Sequence, residues 1–209
     1  MSSCRARPPT PVLFLVLFTF FSVVLACNRE SGCKEPSVSR FKVWDAEVSK
    51  DESSLSTDGP TVLTLRDGKP VAHVVFTLAG PSSYGTINVP LKNHREDQAH
   101  ATKDFSVDLG RSRAVTVKYA SNADLFLQLR HGARAHGGHH YRASLPATEG
   151  QLRTRTLRFA DFAQPDWVKE SERYPLDLHD VFSFTVAALR SADVTVASLE
   201  IEGFSPACE

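Results

Sequence analysis

Four imidazoles crowd the run His131–His140 (HGARAHGGHH). Imidazoles at such density can ligate zinc or copper. Yet no cysteine or carboxylate lies in the run, and an extended backbone would place His139 and His140 on opposite faces. The run therefore reads as a loop that fringes a ligand or is simply solvated, and no metal is expected there. A second set pairs aromatic rings with planar polar groups: Tyr84, Tyr119, Gln128, Arg130, Tyr141 and Arg142, with His139 beside them. Flat aromatics can cover the apolar side of a pyranose, while Gln and Arg can hydrogen-bond its vicinal hydroxyls. The alternative is an ordinary solvated sheet face. A third set, Asp161, Asp166, Glu170 and Glu172, could pair as general acid and base for glycoside hydrolysis, but it falls in a polar connection where carboxylates are usually just solvated. No G-x-S-x-G, H-E-x-x-H or Gly-rich phosphate loop is present. The chain reads as a binding protein, not an enzyme.

The elements that must position these residues are strands. AVTVKY (Ala114–Tyr119), DLFLQLR (Asp124–Arg130), HHYRASL (His139–Leu145) and LRTRTLRF (Leu152–Phe159) alternate in the two-residue period of half-buried strands. In the second of them Leu125, Leu127 and Leu129 face one way, and Phe126, Gln128 and Arg130 the other. These four runs read as one sheet with an apolar and a polar face. Upstream, Phe41–Val48 reads as a first strand, Asp51–Pro60 as a loop, and Thr61–Leu78 as a hairpin around Asp67-Gly68, a type I′ signal. Tyr84–Leu91 alternates, and Lys92–Lys103 is charged and polar. Downstream, Ala163–Leu178 is a long irregular connection, Val181–Leu189 a doubly covered central strand, and Val194–Phe204 a closing strand whose broken phase predicts a bulge. The sum is an all-β sandwich of roughly nine or ten antiparallel strands.

Residues 1–26 read as a leader. Arg5 and Arg7 precede an apolar run, Pro11–Ala26, of 16 residues, short of the ~20 needed to span a bilayer. Val24-Leu25-Ala26-Cys27 resembles the bacterial lipobox, which implies acylation of Cys27 and a lipid anchor in the cell envelope; an ordinary secretory leader is the alternative. Asn28 in place of Asp favours the outer membrane. Removing 26 of the 209 residues leaves 183, enough for one domain. The leader carries two of the 24 basic residues and none of the 24 acidic ones, so the remainder has a net charge of −2. That balance gives no electrostatic footprint for nucleic acid. Cys4 leaves with the leader. If Cys27 is acylated, Cys33 and Cys208 remain, an even pair that an oxidising compartment should join. Such a bridge would tie the ends of the domain together, worth ~4–5 kcal/mol in the chain-entropy account. Two free thiols are the alternative. Residues 27–40 are a polar tether and 41–209 the domain.

Over about residues 60–205 the chain resembles the galactose-binding-like jelly-roll superfamily, and within it the carbohydrate-binding modules of bacterial cellulases. The resemblance is carried by VTVKY…DLFLQL, by YRASLPATEGQLRTRTLRFADF with its Phe159-x-x-Phe162 corner, by Pro165-Asp166-Trp167 and Leu176-Asp177-Leu178 ahead of the Val181–Val186 strand, and by the closing VTVASLEIEGF. It departs at Leu152, where the family often has Trp, and at Arg155, where it has a core aliphatic. If Arg155 shares a face with Leu157, it must reach a partner or line a pocket. The resemblance implies a non-catalytic, monomeric glycan-binding domain with Tyr84, Gln128, Arg130, His139, Tyr141 and Arg155 at the ligand. It implies no cofactor beyond a structural calcium, which stays open. A polysaccharide or an envelope protein is the partner expected. The competing expectation is a structural or assembly lipoprotein with no small ligand, which should show a flat apolar patch instead of a groove.

Overall fold

The computed structural model describes residues 45–59, 62–91, 106–131 and 140–203. Eleven strands are formed: β1 (Asp45–Val48), β2 (Ser54–Thr57), β3 (Leu63–Arg66), β4 (Lys69–Thr77), β5 (Gly85–Pro90), β6 (Ala114–Ser121), β7 (Leu125–His131), β8 (Tyr141–Leu145), β9 (Arg153–Arg158), β10 (Val181–Ala188) and β11 (Ala192–Ile201). All pairings between them are antiparallel. One sheet has the order β1-β5-β10-β7-β8. The other runs β2-β4-β11-β6-β9, with β3 also paired to β4. The fold is the all-β jelly-roll sandwich expected, with one strand more than the upper count. The addition is β2, inside the stretch read as a loop. Its sequence SLST offers one apolar residue, Leu55, too little to register as alternation. It gains its strand partners from β4, whose free edge it shares end to end with β3.

The four alternating runs at the centre of the chain do not make one sheet. β7 pairs with β8, and β6 with β9, on opposite sides of the sandwich. Alternation reports that a strand has a buried face, not which neighbour it pairs with. The chain crosses between sheets at residues 122–124 and 146–152. The second crossing turns through Glu149 and Gly150, both at positive φ. The β3–β4 hairpin closes at Asp67 (φ 53°) and Gly68 (φ 72°), the left-handed pair that a type I′ turn requires. The closing strand carries its bulge between Val196 and Ser198, where its register against β6 shifts.

Between the sheets lie Phe76, Ile87, Leu125, Leu127, Leu129, Leu145, Phe184, Val194 and Leu199, all buried. Phe159 and Phe162 flank a single 3₁₀ turn, and both are buried with ring centroids 6.0 Å apart. Phe159 also stacks on Phe184. The corner therefore pins the long connection after β9 to the core beneath β10. Cys27, Cys33, Cys208, His139, the polar run 92–103 and the Phe41–Trp44 part of the first expected strand lie outside the described residues. No helix among the described residues is long and apolar enough to cross a membrane.

Candidate functional site

The outer face of the β1-β5-β10-β7-β8 sheet is concave and polar. Strand register explains its composition. Thr185 on β10 lies opposite Asn88 on one side and Gln128 on the other, and Gln128 lies opposite Arg142. The four side chains thus form one row across four strands, on the face away from the leucines. The next row along the strands places Glu47, Thr86, Ala187 and Phe126 on the same face. Thr185 donates a buried 3.0 Å hydrogen bond to Asn88 Oδ1, which fixes the amide and leaves its NH2 as the donor end. Arg142 lies with Cζ 4.3 Å from the centroid of the Phe126 ring. Burial pulls its pKa below the ordinary value while the charge of Asp166 pushes it back; an arginine so placed stays charged.

Two exposed aromatics wall this floor. After the Phe159/Phe162 corner, Ala163 forms a two-way backbone bridge with Arg142, at 2.9 and 3.0 Å, along the outer edge of β8. Val168 N–H then bonds the Pro165 carbonyl at 3.0 Å, and the Val168 side chain is buried. With Val168 turned inward, Trp167 projects outward and is 62% exposed. On the opposite rim stands Tyr84, 44% exposed. Between them lies a groove of about 420 Å³ whose lining includes Glu47, Asn88, Gln128, Arg130, His140, Arg142 and Thr185. Planar donors and acceptors on the floor with flat rings at the walls are what a pyranose needs: hydroxyl partners around its edge and a surface for its C–H face.

The Tyr84 rim is held by a carboxylate. Asp51 accepts from the Ser53 backbone N–H at 2.8 Å and from the Ser83 hydroxyl at 2.5 Å, and Ser49 exchanges backbone and hydroxyl contacts with Tyr84. The Ser53 hydroxyl, then the Ser83 hydroxyl and the Ser53 backbone, bring the Asp51 pKa down to about 2. A depressed carboxylate stabilises the fold above its unfolded value and loses that contribution as pH falls through the folded one. The rim should therefore hold above about pH 4 and loosen as the pH falls toward 2. Amide exchange at Ser53 and Ser83 across that window measures it. Asp51→Asn should show loosened exchange already at neutral pH and no further step; a step retained in Asp51→Asn would assign the effect elsewhere.

Of the residues expected at a ligand, Tyr84, Gln128 and Arg130 meet in this groove. Tyr141 does not. Its register opposite Leu129 turns it to the inner side of the sheet, where its hydroxyl donates to the Tyr174 carbonyl at 2.6 Å and its ring meets His131 and Tyr174 edge-on. Adjacent strand residues cannot share a face, so placing Arg142 in the groove excludes Tyr141 from it. Tyr119 is likewise buried, its hydroxyl bonded to the Pro146 carbonyl. Arg155 belongs to the other sheet. It pairs with Val117 and shares a face with Leu157, but β9 is an edge strand and the side chain is exposed there, so no buried cation results. His131 is buried with Nε2 accepting from the Asp177 N–H at 3.2 Å. No group of three His, Cys, Asp or Glu side chains among the described residues could hold a metal ion. Glu47, Asn88, Thr185 and Trp167 line the groove besides the residues that the sequence points to. The signal for the first three is strand register, which the sequence does not print. Trp167 shows in the sequence as part of the Pro165-Asp166-Trp167 motif in an irregular connection, with nothing to mark it as a groove wall.

The acidic cluster disperses. Asp161 pairs with Arg158 at 3.0 Å, which holds its carboxyl below the usual range; Glu170 pairs with Arg173 and Glu172 with Lys169. Glu47 is the one carboxylate among the described residues lining the groove, whereas glycoside hydrolysis uses two. The opposite sheet carries a smaller hollow of about 230 Å³, where His73 lies 2.7 Å from Asp58 and 2.9 Å from Asp193. No aromatic ring lines it among the described residues other than that imidazole.

No family model matches the chain, and a search of curated proteins gives no match. Solved structures do share its fold. The family 11 carbohydrate-binding module of a cellulosomal cellulase of Clostridium thermocellum is 15% identical, with a TM-score of 0.54 over 84% of this chain and 98% of that one. A second structure of the family 11 module from the same organism, in complex with a beta-1,3-1,4-mixed-linked tetrasaccharide, is 14% identical with a TM-score of 0.51, covering 78% and 91% of the two chains. A family 30 carbohydrate-binding module is 13% identical with a TM-score of 0.52, covering 82% and 95%. At these identities the likeness is one of fold: the chain has the jelly-roll sandwich of carbohydrate-binding modules.

Proposed function

We propose that this chain is a non-catalytic carbohydrate-binding protein that holds a glycan in the groove between Tyr84 and Trp167. The observation that carries the reading is the meeting of two exposed rings over a floor of amide and guanidinium groups, in a sandwich of the shape that carbohydrate-binding modules adopt. Of five exposed large apolar side chains among the described residues, Tyr84, Trp167 and Leu189 line the groove, while Leu65 and Leu152 do not. That clustering favours a groove binder over a protein-interaction module, which needs a flat apolar patch. The leader supports export, with Cys27 as lipid anchor in the cell envelope and a Cys33–Cys208 bridge closing a monomeric domain.

A glycan screen on the intact protein in detergent tests this. Binding to at least one polysaccharide is expected, weakened tenfold or more by Gln128→Ala through the loss of a half-buried hydrogen-bonding group on the groove floor and unaffected by Arg155→Ala. Silence across the array from a folded protein would remove the reading.

A further inference from the structure

We infer that the β1–β5–β10 end of the groove is a subsite for an acetamido group, so that the glycan it takes is built on 2-acetamido-2-deoxyhexose units. The inference deepens the carbohydrate-binding reading and rests on it. Asn88 is 8% exposed and lines the groove, and its Oδ1 is occupied by the hydroxyl of Thr185, itself 2% exposed. Its NH2 makes no hydrogen bond among the described residues. A donor so far out of water and left unmet costs free energy that a ligand acceptor recovers. The subsite therefore asks for an accepting oxygen, and a carbonyl oxygen meets that need with no proton of its own to place.

The neighbours supply the rest of what an acetamide needs. Glu47 on β1 lies opposite Thr86, which puts it diagonal to Asn88, a spacing of ~7–8 Å. It is exposed, lines the groove and has no ion pair or hydrogen bond among the described residues. A planar trans amide points its N–H and its C=O in opposite directions. Laid between the two side chains, an acetamide donates to the Glu47 carboxylate and accepts from the Asn88 NH2. Its methyl then points across that line, over Thr86 toward Ala187 on β10, which lies opposite Thr86. Two residues on, the same face carries Leu189, 43% exposed, with Tyr84 next to it on the β5 side. An aliphatic side chain bared to water in a polar groove gains by covering a methyl. A sugar hydroxyl in the same place puts donor and acceptor on one atom and leaves Ala187 and Leu189 uncovered. Donor, acceptor and apolar contact thus fall where the carbonyl, N–H and methyl of one acetamido group require them.

Calorimetric titration of the intact protein in detergent tests this. The probes are the β-1,4-linked tetramers of N-acetylglucosamine, glucosamine and glucose, which share a backbone and differ at carbon 2. A fourth is a wall-glycan tetramer, in which alternate N-acetylglucosamine units carry a lactyl ether. At least one acetylated tetramer should bind about tenfold or more tighter than the glucose one, and the tighter of the two names the source, chitin-like or wall glycan. Asn88→Asp, which keeps the shape and the bond from Thr185 but removes the donors, should erase most of that preference. Glu47→Ala, at an exposed position, should lower it severalfold, and it decides the matter if Asn88→Asp lowers the unfolding temperature. Glucose tetramer binding as tight as both acetylated ones would overturn the acetamido subsite and leave the carbohydrate-binding reading standing. Equal binding of the glucosamine tetramer would show attraction to the charge of Glu47 in place of amide recognition, and would overturn the subsite too. A preference that both substitutions leave intact would overturn the assignment to Asn88 and Glu47. Silence toward all four, in a protein that binds another glycan of the screen, would overturn the subsite alone; silence toward every saccharide would remove both readings.

Discussion

Trp167→Ala should weaken glycan binding by roughly thirtyfold, the cost of a ~2 kcal/mol aromatic anchor, while leaving the unfolding temperature within a degree or two. The two halves of that expectation have separate causes. The ring is largely exposed on a segment held by other residues: the Ala163–Arg142 bridge, the Pro165–Val168 turn and the buried Val168 side chain. Its removal leaves those anchors in place, and surface substitutions away from them cost little stability. In the groove, by contrast, the ring is one of two flat walls. Losing it takes away the surface against which a pyranose stacks and admits water to the polar floor. Titration with whichever glycan is retained, alongside thermal unfolding, separates the effects. A binding loss that tracks a fall in stability would show that Trp167 holds the loop, not the ligand.

Phe184→Ala should act the other way, through the core. Phe184 is fully buried on β10, the central strand of the groove-bearing sheet, and stacks on Phe159 with centroids 6.3 Å apart. Truncating such a ring leaves a cavity and costs about 3–5 kcal/mol, a drop of about 10 °C in unfolding temperature for a domain of this size. Since Thr185 and Ala187 of the same strand floor the groove, affinity should also fall, but only in proportion to the unfolded fraction at a given temperature. Denaturant unfolding measures the loss. A change below about 1 kcal/mol would mean that the sheets repack around the missing ring.

Much of the sandwich was legible in the sequence because its strands pack apolar residues at every second position. Leu125, Leu127 and Leu129 gave β7 its inner face, and the same parity put Gln128 and Arg130 outside. The Asp67-Gly68 turn and the bulge in β11 could be read from local chemistry. What could not be read is what depends on partners distant in sequence. The separation of β6 and β9 from β7 and β8 is set by crossings that leave no periodic mark. β2 exists because β4 has an edge to offer. The site divides the same way. Gln128 and Arg130 follow from parity on one strand. Asn88 and Thr185 join them only through register across β5, β10 and β7. Tyr141 falls on the inner face because its neighbour Arg142, not the tyrosine, has the parity of the groove. Trp167 depends on a corner and a bridge that fold an irregular segment back over β8.

The central claim is that one face of one sheet binds a glycan, and amide chemical-shift mapping tests it most directly. A uniformly ¹⁵N-labelled chain of residues Cys33–Glu209, oxidised, would be titrated with oligosaccharides from the screen. The shifts should concentrate at Asn88, Gln128, Arg130 and Arg142, at the Thr185 amide and at the indole N–H of Trp167, with the opposite sheet silent. Shifts concentrated instead around Arg66, His73 and Asp193 would place the ligand in the other hollow. A spectrum unmoved at the groove by saturating ligand would contradict the account.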